Sequence, residues 1–414
     1  MCCTAVLAMV MLFGPMQVLA AEADSYTPSV YATFWALLPP VIAIALALMT
    51  KEVYSSLFVG IVVGGLFFAN FNPEVAINHI FANGMIGVLS DSWNVGILIF
   101  LVMLGAMVSL MNKAGGSAAF GEWAAKRIKG KVGAQLATVL LGVLIFVDDY
   151  FNCLTVGSVM KPVTDKHKVS REKLAYLIDA TAAPICIIAP ISSWAAAVTG
   201  FVDGEDGLSL FISAIPYNFY ALLTIFMMIV AIFLKVEFGP MKAAETLAEK
   251  AGVLEAVQEK NDKKGKVIDL VVPIIALIVC CVIGMVYTGG FFEGADFITA
   301  FSNSDASFGL VLGSFAALIV TLIFYLVRKV LTINECMESI PAGFKAMVPA
   351  ILILTFAWTL KAMTDSLGAG EYVAELVKGS AAGFMSFLPA IIFIIACLLA
   401  FATGTSWGTF ASCL

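Results

Sequence analysis

Charge and histidine are what this chain is short of. Only 13% of its 414 residues are Asp, Glu, Lys or Arg, and 61% are hydrophobic; a soluble domain carries roughly 25% charged and about 45–50% apolar residues. Such a composition requires lipid around it. The net charge of −6 excludes nucleic acid as a partner. The two histidines, His79 and His167, and nine scattered cysteines without a C-x-x-C pair supply neither a zinc site nor a disulfide framework. No enzymatic cofactor is expected. What is present is long apolar segments, and the reading is an all-α, multi-pass membrane protein.

Residues 1–23 resemble a secretory signal. An apolar run from Ala5 to Leu19 is followed by Ala20, Ala21 and Ala23, although no Lys or Arg precedes it. Segments long enough to span a bilayer (roughly 17–25 residues) fall near 33–50, 53–71, 95–112, 174–199, 211–234, 268–289, 308–327 and 345–361. Two more, 133–160 and 384–414, carry polar groups in their middles.

The basic residues choose the topology. If 133–160 crosses once, they divide 8 to 15 across the membrane; if it dips in and returns, 21 of the 23 Lys and Arg share one side and only Lys361 and Lys378 remain opposite. The positive-inside rule selects the re-entrant hairpin and makes the basic side cytoplasmic. The outer loops, including Glu74, Asp91, Asp203, Glu205, Glu293 and Asp305, are then acidic.

An internal repeat of opposite orientation follows. GEWAAKRIKG at Gly121–Gly130 matches GEYVAELVKG at Gly370–Gly379 at five positions. Each copy follows an apolar span and precedes an interrupted one, and the two lie on opposite sides of the membrane. The chain reads as a first transmembrane repeat over 30–234, a cytoplasmic helical linker over 235–266, and an inverted second repeat over 267–414. Inverted repeats with interrupted helices meeting near the midplane are a recurrent design of secondary transporters.

Chemistry gathers in the interruptions. Asp148 and Asp149 stand in an otherwise apolar segment, where unpaired carboxylates cost several kcal/mol. On a helix Asp148, Asn152 and Thr155 share a face, offering a carboxylate, an amide oxygen and a hydroxyl to a hard cation; Asp149 points about 100° away. Asp179 lies roughly 8 Å into the next span, counting ~1.5 Å per residue from Leu174. Beyond it Thr181, Pro184, Pro190, Ser192 and Ser193 combine hydroxyls with carbonyls freed by proline. In the second half Thr403, Thr405 and Ser406 with neighbouring glycines form an acid-free counterpart. Asp365, four residues after Lys361, reads as a rim pair. An intramembrane aspartic protease would have to pair Asp148 or Asp149 with Asp179, because adjacent acids cannot oppose each other across a water.

The segments F-V-D-D-Y-F-N-C-L-T-V-G-S-V-M-K-P from Phe146, V-S-R-E-K-L-A-Y-L-I-D-A-T-A-A-P from Val169, P-I-S-S-W ending at Trp194, G-A-D-F-I-T-A-F-S-N-S-D-A from Gly294 and T-G-T-S-W-G-T-F from Thr403 resemble the NhaC-type sodium/proton antiporter family. The similarity covers about residues 33–410. It implies an inner-membrane or plasma-membrane transporter that couples proton flow to Na⁺ flow. From the residues themselves, a buried carboxylate, Asp149 or Asp179, is expected to bind either a proton or Na⁺ but not both. Family members continue past the last motif, so the second repeat is expected to be incomplete by roughly 60–80 residues of internal symmetry. The chain thus reads as a C-terminally truncated member. Two alternatives stand beside antiport: a Na⁺- or H⁺-coupled carboxylate or amino-acid carrier, and an inactive fragment. A small organic solute and a homo-oligomer stay open as further partners.

Overall fold

The computed structural model describes residues 28–50, 52–146, 148–190, 192, 194–195, 207–250, 265–372, 375, 390, 393–394 and 396–397. The signal-like residues 1–23, Ser193, the second half of the linker, most of the second decapeptide copy, and Thr403, Thr405 and Ser406 lie outside them. Among the described residues every regular element is helical.

In chain order these are α1 (Leu38–Thr50), α2 (Val53–Phe68), α3 (Pro73–Asn78), a π-helical stretch His79–Ile86, α4 (Gly87–Ser90), α5 (Ser92–Lys113) and α6 (Gly116–Arg127). Then come α7 (Gly130–Leu144), α8 (Asp149–Lys166), α9 (Arg171–Thr181), α10 (Ala183–Cys186), α11 (Gly207–Ala214) and α12 (Phe219–Leu234). The chain continues through α13 (Gly239–Lys250), α14 (Ile268–Thr288), α15 (Phe297–Ser302), α16 (Ala306–Val327) and α17 (Ile333–Ser366).

Four of these, α5, α14, α16 and α17, are long and apolar enough to cross a membrane, and Ser209–Tyr217 with Phe219–Leu234 forms a fifth candidate bent by 50°. At 1.5 Å per residue the 22 residues of α5 rise about 33 Å, enough for a hydrocarbon core of about 30 Å. Phe219, Tyr220, Leu223, Phe226, Phe233 and Leu234 on α12 are exposed, an apolar exterior that suits lipid and not water.

The chain divides into two compact units. One takes the chain up to Asp91 and again from Leu352 to Cys413; the other is Ser92–Ile351. In the first, α1 and α2 pack closely, and a Cβ added at Gly60 would stand 2.8 Å from the Ala43 methyl. The residues after Asn72, read from sequence as an outer loop, are helical instead. Pro73 starts α3 behind an Asn72 cap, and the His79 ring stacks on Phe68 at 3.5 Å while its Nε2 meets Ser366 Oγ at 2.9 Å. The expected Lys361–Asp365 pair is present at 2.5 Å.

The second unit is centred on α14 and α16. Their backbones approach so closely that a Cβ at Gly309 would lie 2.9 Å from Met285 Cα, and one at Gly313 would lie 2.7 Å from the Cys280 carbonyl. Small residues allow this contact, as they do between helices in lipid. One end of the pair is locked by Asp269: its carboxylate pairs with Arg328 and accepts from Lys266 N at 2.8 Å, and its carbonyl accepts from Tyr325 Oη at 2.5 Å.

Helices α7 and α8 form a hairpin. Asn152, in the first turn of α8, reaches back to Gly142 in the last turn of α7, and the His167 Nε2 that follows α8 meets the Ile128 carbonyl before α7 at 3.2 Å. Both arms therefore begin and end at the same level. The 15 residues of α7 rise only about 22 Å, too little to span.

Gly142 sets how α9 leans on the hairpin. A Cβ there would collide with Thr181 Oγ1 and stand 2.7 Å from Thr181 Cβ. Gly142→Ala is expected to destabilise the protein by about 1–3 kcal/mol, the range for overpacking, read as a lower melting temperature in detergent. Thr181→Ala in the same chain should restore part of the loss by removing the hydroxyl that is struck.

Candidate functional site

The site is built where three helix ends meet. Helix α7 stops at Leu144; Ile145 and Phe146 leave helical geometry, and Asp148 is extended (φ −154°, ψ 140°). Asp148 caps α8, its Oδ1 accepting from Phe151 N at 2.9 Å, which satisfies one of the donors a helix start leaves open. Helix α9 ends at Thr181 because Ala182 turns away (φ −81°, ψ −89°) and Pro184 opens the short α10. Both endings leave carbonyls without intrahelical donors.

Asn152 closes them. Its Nδ2 donates to the Gly142 carbonyl at 2.7 Å, the Ile145 carbonyl at 2.8 Å and the Thr181 carbonyl at 3.2 Å. Two protons are shared among three acceptors, and one fully buried amide joins the hairpin to the broken helix. That contact fixes the orientation of the amide, since the oxygen has no place against three carbonyls.

The remaining oxygens define the chemistry. Asp149 Oδ1, Asn152 Oδ1 and Thr155 Oγ1 are sealed from solvent and have no hydrogen-bond partner. All three belong to the first two turns of α8. Neither Asp149 nor Asp179 has a Lys or Arg partner among the described residues. The Trp194 indole interacts with the Asp149 carboxylate, and Asp148, Asp149 and Asp179 all lie within electrostatic reach of Cys153. Cys186, at the end of α10, feels Asp149 and Asp148 as well. A cluster of negative charge, hydroxyl and amide oxygens without basic partners can hold a monovalent cation or a proton.

Not every expected member joins it. Asp179 is exposed, so it is not one of the buried carboxylates expected from sequence. The packed face of α9 is Lys173, Leu174, Leu177, Ala180 and Thr181; Asp179 follows Leu177 by two residues, about 200° round the helix, and turns away from it. Thr181 is buried, and its Oγ1 donates to the Leu177 carbonyl at 2.8 Å. Ser192 is buried, donates to the carbonyls of Cys186 (2.8 Å) and Ala189 (2.9 Å), and accepts from Ala195 N at 3.1 Å. Its hydroxyl is committed to shaping the turn. Among the described residues no group of three His, Cys, Asp and Glu side chains could hold a metal, so a cation here would rely on neutral oxygens beside the carboxylate.

The sequence reading omitted two residues that the structure brings forward. Trp194 was part of a motif without a role. Gln135, buried on α7 with Oε1 unpartnered, is the one amide of that arm, and an amide in an apolar segment was the available signal.

The fold and this site define a polytopic helical membrane protein with polar groups at its helix breaks. A sequence model of the Na⁺/H⁺ antiporter family matches residues 202–412. An uncharacterized protein of Haemophilus influenzae is 36% identical over 396 residues, spanning 92% of this chain and 76% of the relative. The chain belongs to the Na⁺/H⁺ antiporter family, and so to the membrane transporters that exchange a cation for protons.

Proposed function

We propose that this protein exchanges Na⁺ for H⁺ across the cytoplasmic membrane, in the manner of the NhaC-type members it resembles, with Asp149 at the hairpin tip as the exchanging group. The observation that carries the reading is the set of three sealed, unpartnered oxygens on Asp149, Asn152 and Thr155. Buried acceptors without donors are uncommon in folded proteins, and here both transported species would satisfy them. Na⁺ supplies the positive charge that Asp149 Oδ1 and the neighbouring Asn152 Oδ1 lack, with Thr155 Oγ1 a further turn along α8. A proton on Asp149 turns the carboxylate into a donor toward a neighbouring acceptor. One negative charge serves two competitors, so loading one releases the other.

Asp148 has a different task in this scheme. It caps α8 and adds negative potential without giving up its bond to Phe151 N. Asp179, exposed on α9, contributes through its field at Cys153 and not as a first ligand. The re-entrant placement of the hairpin follows from the 21 basic residues that share one side, and alternating access would move the two inverted halves against each other.

Inverted membrane vesicles containing the protein test the exchange. With an acid-inside gradient followed by a pH-sensitive dye, addition of NaCl should discharge the gradient, whereas choline chloride should not. A gradient indifferent to Na⁺ overturns the proposal, and Na⁺-driven uptake of a labelled carboxylate or amino acid would replace it with a symporter.

A further inference from the structure

The cluster of unpartnered oxygens does not end at the tip. The hairpin register set by Asn152 opposite Gly142 and by His167 opposite Ile128 places other buried polar residues at levels below the tip. Thr155 lies about 4.5 Å below Asn152 on α8, and Gln135, seven residues before Gly142 on α7, lies about 10 Å below the same level at ~1.5 Å per residue. Both offer a sealed oxygen with no donor, Thr155 Oγ1 and Gln135 Oε1. Along the hairpin axis these residues follow one another at rises of about 4.5 and 6 Å, the scale of two hydrogen bonds through one water.

Gln135 is also where this series meets the outside. It belongs to the wall of a cleft of ≈ 770 Å³ at the base of the hairpin, together with Lys131, Ile232, Glu237, Glu245 and Glu249. Helix α13 forms the opposite wall. Glu245, buried, accepts from Ser170 N at 2.8 Å with Oε1 and pairs through Oε2 with Lys131, which also meets Glu249 at 2.8 Å. Burial alone would lower the Lys131 pKa, yet these two carboxylates raise it above its ordinary value. These ion pairs join the two walls of the cleft beside Gln135.

Resting on the antiport reading above, we propose that Gln135 and Thr155 form a transit path of single-file water and cation between this cleft and Asp149, with Gln135 the positioning residue at its inner mouth. A file made of acceptors suits protons, hydrated cations and water, each of which brings a positive end or a donor, and it disfavours anions. The amide of Gln135 separates the wide cleft from the narrow interior, so the ion sheds most of its water there.

Two measurements in inverted vesicles, whose outer surface is the cleft side, decide the matter. Gln135→Leu keeps the volume and removes the acceptor; the maximal exchange rate should fall about tenfold with the apparent KM for Na⁺ unchanged, as expected when passage and not binding is impaired. Gln135→Glu retains an acceptor and should keep most of the rate with an altered pH profile. Separately, Gln135→Cys should react with a charged, membrane-impermeant methanethiosulfonate reagent added outside, and NaCl should slow that reaction. A wild-type protein that exchanges Na⁺ beside a Gln135→Leu variant within twofold of it overturns the path while leaving the antiport reading intact. A Gln135→Cys thiol that never reacts overturns the path even if exchange itself is not observed. Should Gln135→Leu fail to fold, Gln135→Met, which also lacks the acceptor, takes its place with the same expected loss of rate.

Discussion

Replacing Asp149 by Asn is expected to abolish Na⁺-dependent proton exchange while leaving a folded protein in the membrane. The substitution keeps the shape and removes the charge for which, in the proposed exchange, both ions compete. Losing about 3 kcal/mol of attraction between a desolvated carboxylate and a cation corresponds to about two orders of magnitude in affinity. The variant should show no NaCl-induced discharge of a pH gradient at concentrations that saturate the wild type, yet elute as a single species from detergent-solubilised membranes. Asp148→Asn is the informative companion. Its amide oxygen can still accept from Phe151 N at the cap, so much of the exchange should survive. Equal loss in both variants would mean that the two carboxylates act as one group.

The second expectation concerns stability. Asn152→Ala removes the only side chain among the described residues that donates to the carbonyls of Gly142, Ile145 and Thr181. A buried carbonyl left without a donor costs about 1–3 kcal/mol, and with three of them sharing one amide the total should reach about 3–5 kcal/mol. The measurement is thermal or denaturant unfolding in detergent, with expression level as a secondary reading. Asn152→Asp should be worse than its size implies, because it sets a negative acceptor against three carbonyl oxygens. Asn152→Gln has the right chemistry on a longer arm and should fall between. An Asn152→Ala protein as stable as wild type would show that other donors close these helix ends.

Much of this was legible in the sequence, and the exceptions have physical reasons. The charge count calls for a segment that returns to its own side, and α7 and α8 do fold back on each other. The break near Pro184 followed from the missing N–H of proline. Asp179 was misjudged because its depth along the chain was counted but its direction was not. Leu177 and Ala180 claim the packed face, and a residue two positions from Leu177 points elsewhere. Asn152 was named for its oxygen, and the structure gives its nitrogen the larger structural task. That could not be read without knowing which carbonyls the breaks would orphan. Gln135 has no strong mark in the sequence, since one neutral amide near the start of the 133–160 segment weighs little beside the two carboxylates at its tip. The turns after Asn72 are helical although their acidic ends, Glu74 and Asp91, suit an outer loop, because apolar residues between them pack.

The glycine contact between α14 and α16 carries a mechanical consequence. Where main chain touches main chain, no side chains intervene to rearrange, and a shift of even an ångström would drive Gly313 into the Cys280 carbonyl. With Asp269 riveting one end to Arg328 and Tyr325, these two helices travel as a single stiff girder. Any displacement that admits ions must therefore be absorbed at softer joints, where the helices already part company with their own hydrogen bonds.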